Sequence, residues 1–146
     1  MEKLNFSINI NAPREKVWGV LFDDKTYRIW AAEFMPGSYA ETDWKTGSKT
    51  LFLASEGNGM ISRIAESRAN EYLSIEHLGM VKDGKEDLES DEVKGWAGAH
   101  ENYTLTGNGS NTELKIDMDA DQQWKDYFLQ TWPKALDKVK ELAEKK

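Results

Sequence analysis

Acid–base chemistry in this chain converges on His77 and Glu101. His77 shares strand parity with Leu73 and Ile75, and Glu101 with Tyr103 and Leu105. Side chains alternate between the faces of a strand, so if these apolar sets mark an inner face, both polar groups enter it from neighbouring strands and can touch. Three chemistries compete for such a pair. It can be a satisfied structural pair, a polar anchor that orients an apolar ligand, or a general acid–base couple with Tyr103 nearby. A bulge in either strand would flip the parity and void all three. His100 has the opposite parity to Glu101 and is expected outside.

Other reactive constellations are missing from the pattern. The chain has no cysteine, which removes disulfides, thiol nucleophiles and thiolate metal sites. No serine is spaced with a histidine and an acid as a triad, and the histidines lack metal-ligand spacing. Neither a metal nor any other cofactor is expected. The acidic run between Lys82 and Lys94 holds Asp83, Glu86, Asp87, Glu89, Asp91 and Glu92. A cation site there competes with a solvated, mobile loop, and the spacing is not that of a calcium loop. The glycines at Gly57, Gly59, Gly107 and Gly109 mark hairpin turns and not phosphate loops, because neither pair opens a helix.

Large apolar side chains supply candidate walls for a binding site. The chain carries six tryptophans in 146 residues. Trp30, Leu53, Ile75, Trp96, Tyr103, Trp124, Phe128 and Trp132 are the candidate ligand-lining residues, with His77 and Glu101 as the polar features. Against this stands the plain alternative that the tryptophans are core.

The elements that must position these groups read clearly. Leu4, Phe6, Ile8 and Ile10 alternate with polar residues, which predicts a half-buried strand. Pro13 opens a helix reaching about Phe22, and Asp23 or Asp24 caps a short second helix carrying Tyr27, Trp30 and Ala31. Strands follow over Ser38–Asp43, Lys49–Ser55, Met60–Glu66, Glu71–Val81, Ala99–Thr106 and Thr112–Asp119, with a strong turn at Gly107–Asn111. From Asp121 to Lys146 an apolar stripe of Trp124, Phe128, Trp132, Ala135, Leu136, Val139, Leu142 and Ala143 predicts a long amphipathic helix. Asp119 or Asp121 is placed to cap it, and Glu141 and Lys145 to pair near its end. Pro133 interrupts that pattern and predicts a bend. The order is β-α-α-β-β-β-β-β-β-α, about seven strands in an α+β fold. Six consecutive strands on short turns imply an antiparallel meander curling around the last helix, with a small-molecule cavity between them.

Several stretches carry a family resemblance: INAPREKVWGVLFD, YRIWAAEF, EYLSIEHLGM, ENYTLTGNGSNTELKIDMD and YFLQTWPKALDKVKELAE. Together they resemble the SRPBCC (START-like) superfamily, in the branch related to the C-terminal domain of the activator of the heat-shock-protein-90 ATPase. The resemblance covers nearly the whole chain. It implies the helix-grip fold, a curved antiparallel sheet around a long C-terminal helix, with a cavity for lipids, sterols, polyketides or other apolar molecules. Some members are cyclases or hydratases.

The resulting expectation is one domain over residues 1–146 that binds a small hydrophobic molecule. The alternatives are a cyclase- or hydratase-like enzyme using His77 and Glu101, and a regulatory protein that contacts a chaperone. A net charge of -7 argues against nucleic acid as partner. No apolar run reaches membrane-spanning length and no signal-peptide core opens the chain, so no membrane insertion and a cytoplasmic location are expected. A monomer is the expected state.

Overall fold

The structure is a computed structural model that describes residues 1–107 and 109–145. Asn108 in the expected turn and Lys146 at the expected helix end lie outside the described residues. The chain runs β1 (Glu2–Ile10), α1 (Arg14–Phe22), α2 (Asp24–Ala31), β2 (Tyr39–Glu41), β3 (Lys49–Leu53), β4 (Gly59–Arg68), β5 (Tyr72–Lys82), β6 (Lys85–Asp87), α3 (Asp91–Lys94), β7 (His100–Gly107), β8 (Thr112–Ala120) and α4 (Lys125–Glu144). All strand pairs are antiparallel. They form one curved eight-stranded sheet in the order β1-β8-β7-β5-β4-β3-β2, with β6 paired to the end of β5.

The first and last strands meet. Leu4 faces Met118 and Ile8 faces Leu114 across β1 and β8, so their alternating apolar residues form one inner face. Against that face lies α4, which packs on β1, α1 and α2. Its buried stripe is Trp132, Ala135, Leu136, Val139 and Ala143, the heptad-like spacing seen in the sequence. The helix runs unbroken through Pro133, and the missing proline N–H leaves the Leu129 carbonyl without its intrahelical partner.

The start of α4 differs from expectation. A single 3-10 turn at Gln122–Trp124 precedes it, and Asp121 makes no side-chain cap. Asp119 instead accepts the backbone N–H of His100. Because the helix begins one residue after Trp124, that indole leaves the buried stripe and is 46% exposed. Near the other end, Glu141 pairs with Lys138 and Glu144 with Lys140. At the front of the chain Pro13 is the N-cap of α1, one residue earlier than N1.

The acidic stretch after β5 is built structure and not a plain loop. Three charged or polar residues, Lys85 to Asp87, form β6 against Met80–Lys82. Asp87 Oδ1 then accepts the N–H groups of Glu89 and Ser90, which holds its carboxyl below the usual range. Ser90 caps α3 by accepting from Val93, and Val93 is fully buried. A glycine is required where this excursion crosses β5: a Cβ on Gly79 would lie 2.3 Å from the Asp87 carbonyl oxygen.

Candidate functional site

Two bulges decide what β4 and β5 present to the interior. Ile61 faces Gly79 and Ser62 faces His77, so Leu78 is the extra residue on β5; Ile64 faces Ile75 and Glu66 faces Ser74, so Ala65 is the extra one on β4. The β5 bulge falls after His77, which keeps the parity of Leu73, Ile75 and His77 intact. On the next strand Glu101 stands directly opposite Ile75. His77 is therefore its diagonal neighbour, within reach of a long side chain.

The side chains meet. His77 Nε2 lies 3.2 Å from Glu101 Oε1, and Ser62 Oγ lies 2.7 Å from His77 Nδ1. The Tyr103 hydroxyl donates to Glu101 Oε2. A carboxylate only accepts, so His77 carries its proton on Nε2, and in the neutral ring Nδ1 accepts from the Ser62 hydroxyl. The result is a continuous chain, Ser62–His77–Glu101–Tyr103, lying in the inner face. Ser62, His77 and Tyr103 are buried, while the Glu101 side chain keeps 18% of its surface exposed. Burial first, then the Glu101 charge, pushes the Tyr103 hydroxyl well above its ordinary pKa. Tyr27 is raised by the same two causes in the same order. Both phenols stay protonated at any physiological pH.

Aromatic rings surround this chain. Phe52 packs on His77 at 6.2 Å and Phe22 on Tyr103 at 5.4 Å. Trp44 contacts Phe22 at 4.8 Å, Tyr27 at 5.8 Å and Phe52 at 5.9 Å. Beneath α4, Trp132 meets Trp30 at 6.1 Å, Tyr103 at 6.0 Å and Phe34 at 4.8 Å. These rings interlock at stacking and edge distances. Two hollows border β1. One, about 330 Å³, sits over the outer face at Asn5, Ser7, Thr104, Lys115 and Asp117. The other, about 270 Å³, lies between β1 and α4 at Phe6, Ile8, Pro133 and Leu136.

The candidate wall residues separate into groups. Ile75, Tyr103, Trp30 and Trp132 are buried together in the main core, with Phe128 packed at its margin. The indole N–H groups of Trp30 and Trp132 are spent inside the core, on the Leu21 carbonyl and on Met118 Sδ. Leu53 belongs to a separate small cluster with Ile61 and Val81. It is Phe52, its neighbour on β3, that joins the main core. Trp96 lies half-buried in the turn between α3 and β7, outside the core cluster. Trp124 rests on Tyr127 near the surface. His100, expected outside, is half-buried.

Sequence reasoning passed over Ser62 and Trp44. Ser62 shares parity with the fully buried Ile64, a signal that was available on the strand pattern. Trp44 sits in a loop with no periodicity, so no signal pointed to it. Among the described residues no buried side-chain nitrogen or oxygen lacks a hydrogen-bond partner, and no group of three or more acids and histidines is placed to hold a metal ion. Among the described residues no helix is long and apolar enough to cross a membrane.

Comparison with solved structures shows the same fold in proteins of low sequence identity. A protein from Mesorhizobium loti superposes with a TM-score of 0.74 at 15% identity, covering 97% of this chain and 96% of that one. The Aha1 protein from Colwellia psychrerythraea, solved as a dimer, gives 0.73 at 16%, covering 99% and 97%. DynU16, a putative protein in the dynemicin biosynthetic locus, gives 0.70 at 15%; the match covers 99% of this chain but 48% of that one. Among curated protein sequences none is similar enough to count as a relative. The family model described as activator of Hsp90 ATPase homolog 1-like protein matches residues 11–144. With that match spanning nearly all of the sequence and the sheet-and-helix architecture in agreement, the chain belongs to the activator of Hsp90 ATPase homolog 1-like family.

Proposed function

We propose that this protein binds a small hydrophobic molecule on the inner face of its sheet and orients it with the Glu101 end of the polar chain. The observation that carries this reading is the placement of Ser62, His77, Glu101 and Tyr103 in one hydrogen-bonded line within an aromatic surround. Apolar walls with a few convergent polar groups are the general composition of small-molecule sites. The partial exposure of Glu101 supports access from solvent at this point, beside the aromatic rings of α1 and β3. Trp30 and Trp132 serve as the floor that the site rests on, since their polar ends are already used.

The test is native mass spectrometry of the protein as purified, followed by titration of the ligand-free protein with Nile red. Binding at micromolar concentrations, altered in selectivity by His77→Leu, supports the reading. An empty protein that takes up no dye would overturn it and favour a role in contacting another protein.

A second reading, proton transfer by the same groups, rests on the continuity of the line. Ser62 and Tyr103 lie at opposite ends of a His–Glu couple, so a proton lost at one hydroxyl has a route through the couple. In that case His77→Leu abolishes turnover of a bound ligand while leaving its affinity within a few-fold, and unchanged turnover would remove this reading.

A further inference from the structure

Trp44 is carried by the loop between β2 and β3, and its backbone sits at φ 59, a left-handed conformation that bulky residues rarely adopt. The loop is stitched down on the far side of this residue: Gly47 donates to the Ile64 carbonyl and Ile64 donates to the Ser48 carbonyl. On the near side the Trp44 N–H donates to Thr42 Oγ1. Between those anchors the indole turns inward and is half-buried. It lies in a slot formed by Phe22, Tyr27 and Phe52. Two of those rings touch the polar line directly, Phe22 at Tyr103 and Phe52 at His77.

The indole thus lies against rings that border the His77–Glu101–Tyr103 groups, in a left-handed backbone conformation, on a loop anchored at Thr42 and at Gly47–Ser48. We propose that Trp44 is a removable occupant of the binding site, holding the place of a flat aromatic ligand that carries an O–H or N–H donor. This rests on the ligand-binding reading given above and adds the ligand's chemistry and the gate. Three rings around one ring form a slot whose walls suit another planar π-system. Each Glu101 oxygen accepts one hydrogen bond, from His77 or from Tyr103, and retains a lone pair. A ligand donor completes it, whereas a ligand carboxylate would meet like charge in a poorly solvated place. Displacing Trp44 also relieves its left-handed backbone, so part of the cost of opening is returned by the loop.

The experiment compares wild-type protein with Trp44→Gly, using 2-naphthol, naphthalene and 2-naphthoate as probes in equilibrium titrations. If the open form is a minor state, emptying the slot raises affinity by the inverse of its population, so Trp44→Gly is expected to bind 2-naphthol about tenfold or more tightly than wild type. Naphthalene should bind more weakly than 2-naphthol, and 2-naphthoate should bind only after Glu101→Gln. Equal 2-naphthol affinity in the two proteins, or 2-naphthoate bound as well as 2-naphthol with Glu101 intact, overturns the proposal. Nile red bound by wild type with no gain in Trp44→Gly leaves the general binding function standing and removes the Trp44 gate. Failure of every probe with both proteins removes both. Should the glycine variant not fold, wild-type protein labelled with 5-fluorotryptophan gives the answer. Saturating 2-naphthol should move one fluorine resonance to a solvent-exposed shift, and that resonance should be missing from Trp44→Phe. An unmoved spectrum on a saturated protein overturns the proposal.

Discussion

His77 on β5 and Glu101 on β7 are diagonal neighbours joined through their side chains, although the residue directly facing Glu101 is Ile75. Ser62 on β4 completes the contact from the other side, so three adjacent strands are tied by one buried line of polar groups. Such a line is stabilising only while every member is satisfied. His77→Leu leaves the Ser62 hydroxyl buried without its acceptor and removes a donor from Glu101. The expected loss of stability is about 1–3 kcal/mol, read from urea unfolding. Adding Ser62→Ala should recover part of that loss, because the orphaned hydroxyl is gone. A double variant as unstable as the sum of the two singles would show that the groups do not act as a line.

Trp132 is the largest side chain that α4 buries. It touches Phe6, Trp30, Phe34 and Tyr103. Trp132→Ala should lower stability by about 3–5 kcal/mol through lost transfer energy and the cavity left behind. Trp124→Ala, about two turns before Trp132 and 46% exposed, should stay within about 0.5 kcal/mol of wild type. Similar losses for the two would mean that the stripe is misplaced.

The difference between those two tryptophans also shows what the sequence could reveal. The alternation from Leu4 to Ile10 and the stripe from Phe128 to Ala143 are long enough for their period to identify face as well as element. His77 and Glu101 were placed by parity alone, and the parity survived because the β5 bulge comes one residue too late to disturb it. Leu53 had no such help. Leu51, Phe52 and Leu53 are consecutive and apolar, so nothing in the pattern says which of them points inward, and it is Phe52 that joins the main core. Strand β6 was invisible because Lys85, Glu86 and Asp87 have no apolar face at all. The interlocking of the rings was not legible either. Whether rings leave space depends on how they interlock, and that is a property of the folded packing, not of spacing along a chain.

Pro133 offers a test that separates helix energetics from packing. It is exposed inside α4, so replacing it removes little burial. Pro133→Ala supplies the N–H that the Leu129 carbonyl lacks and removes the steric clash with it. The gain is offset in part by a more flexible unfolded chain, leaving a net stabilisation of about 1 kcal/mol or more. Thermal unfolding measures this, and slow hydrogen exchange at the new residue-133 amide would report the bond itself. A variant less stable than wild type would mean that the proline conformation is used for packing against β1.

The buried phenols predict an alkaline limit to stability. Tyrosine in the unfolded chain ionises near its model value of 10.0. In the folded protein Tyr103 and Tyr27 are both raised above it, by burial and then by the Glu101 charge. Above that point the unfolded chain sheds protons that the folded protein keeps, so the folded state binds more protons and stability falls as pH rises. The contribution is fully present below the unfolded value and is lost progressively on the alkaline side. Each such tyrosine adds a slope of about 1.4 kcal/mol per pH unit there. Tyr103→Phe should therefore be less stable than wild type at neutral pH, because Glu101 Oε2 loses its donor, yet flatter above about pH 10 by the slope of one phenol. Urea midpoints measured at intervals from neutral to alkaline pH give both quantities, and parallel curves for the two proteins would mean that Tyr103 is not held protonated by its surroundings.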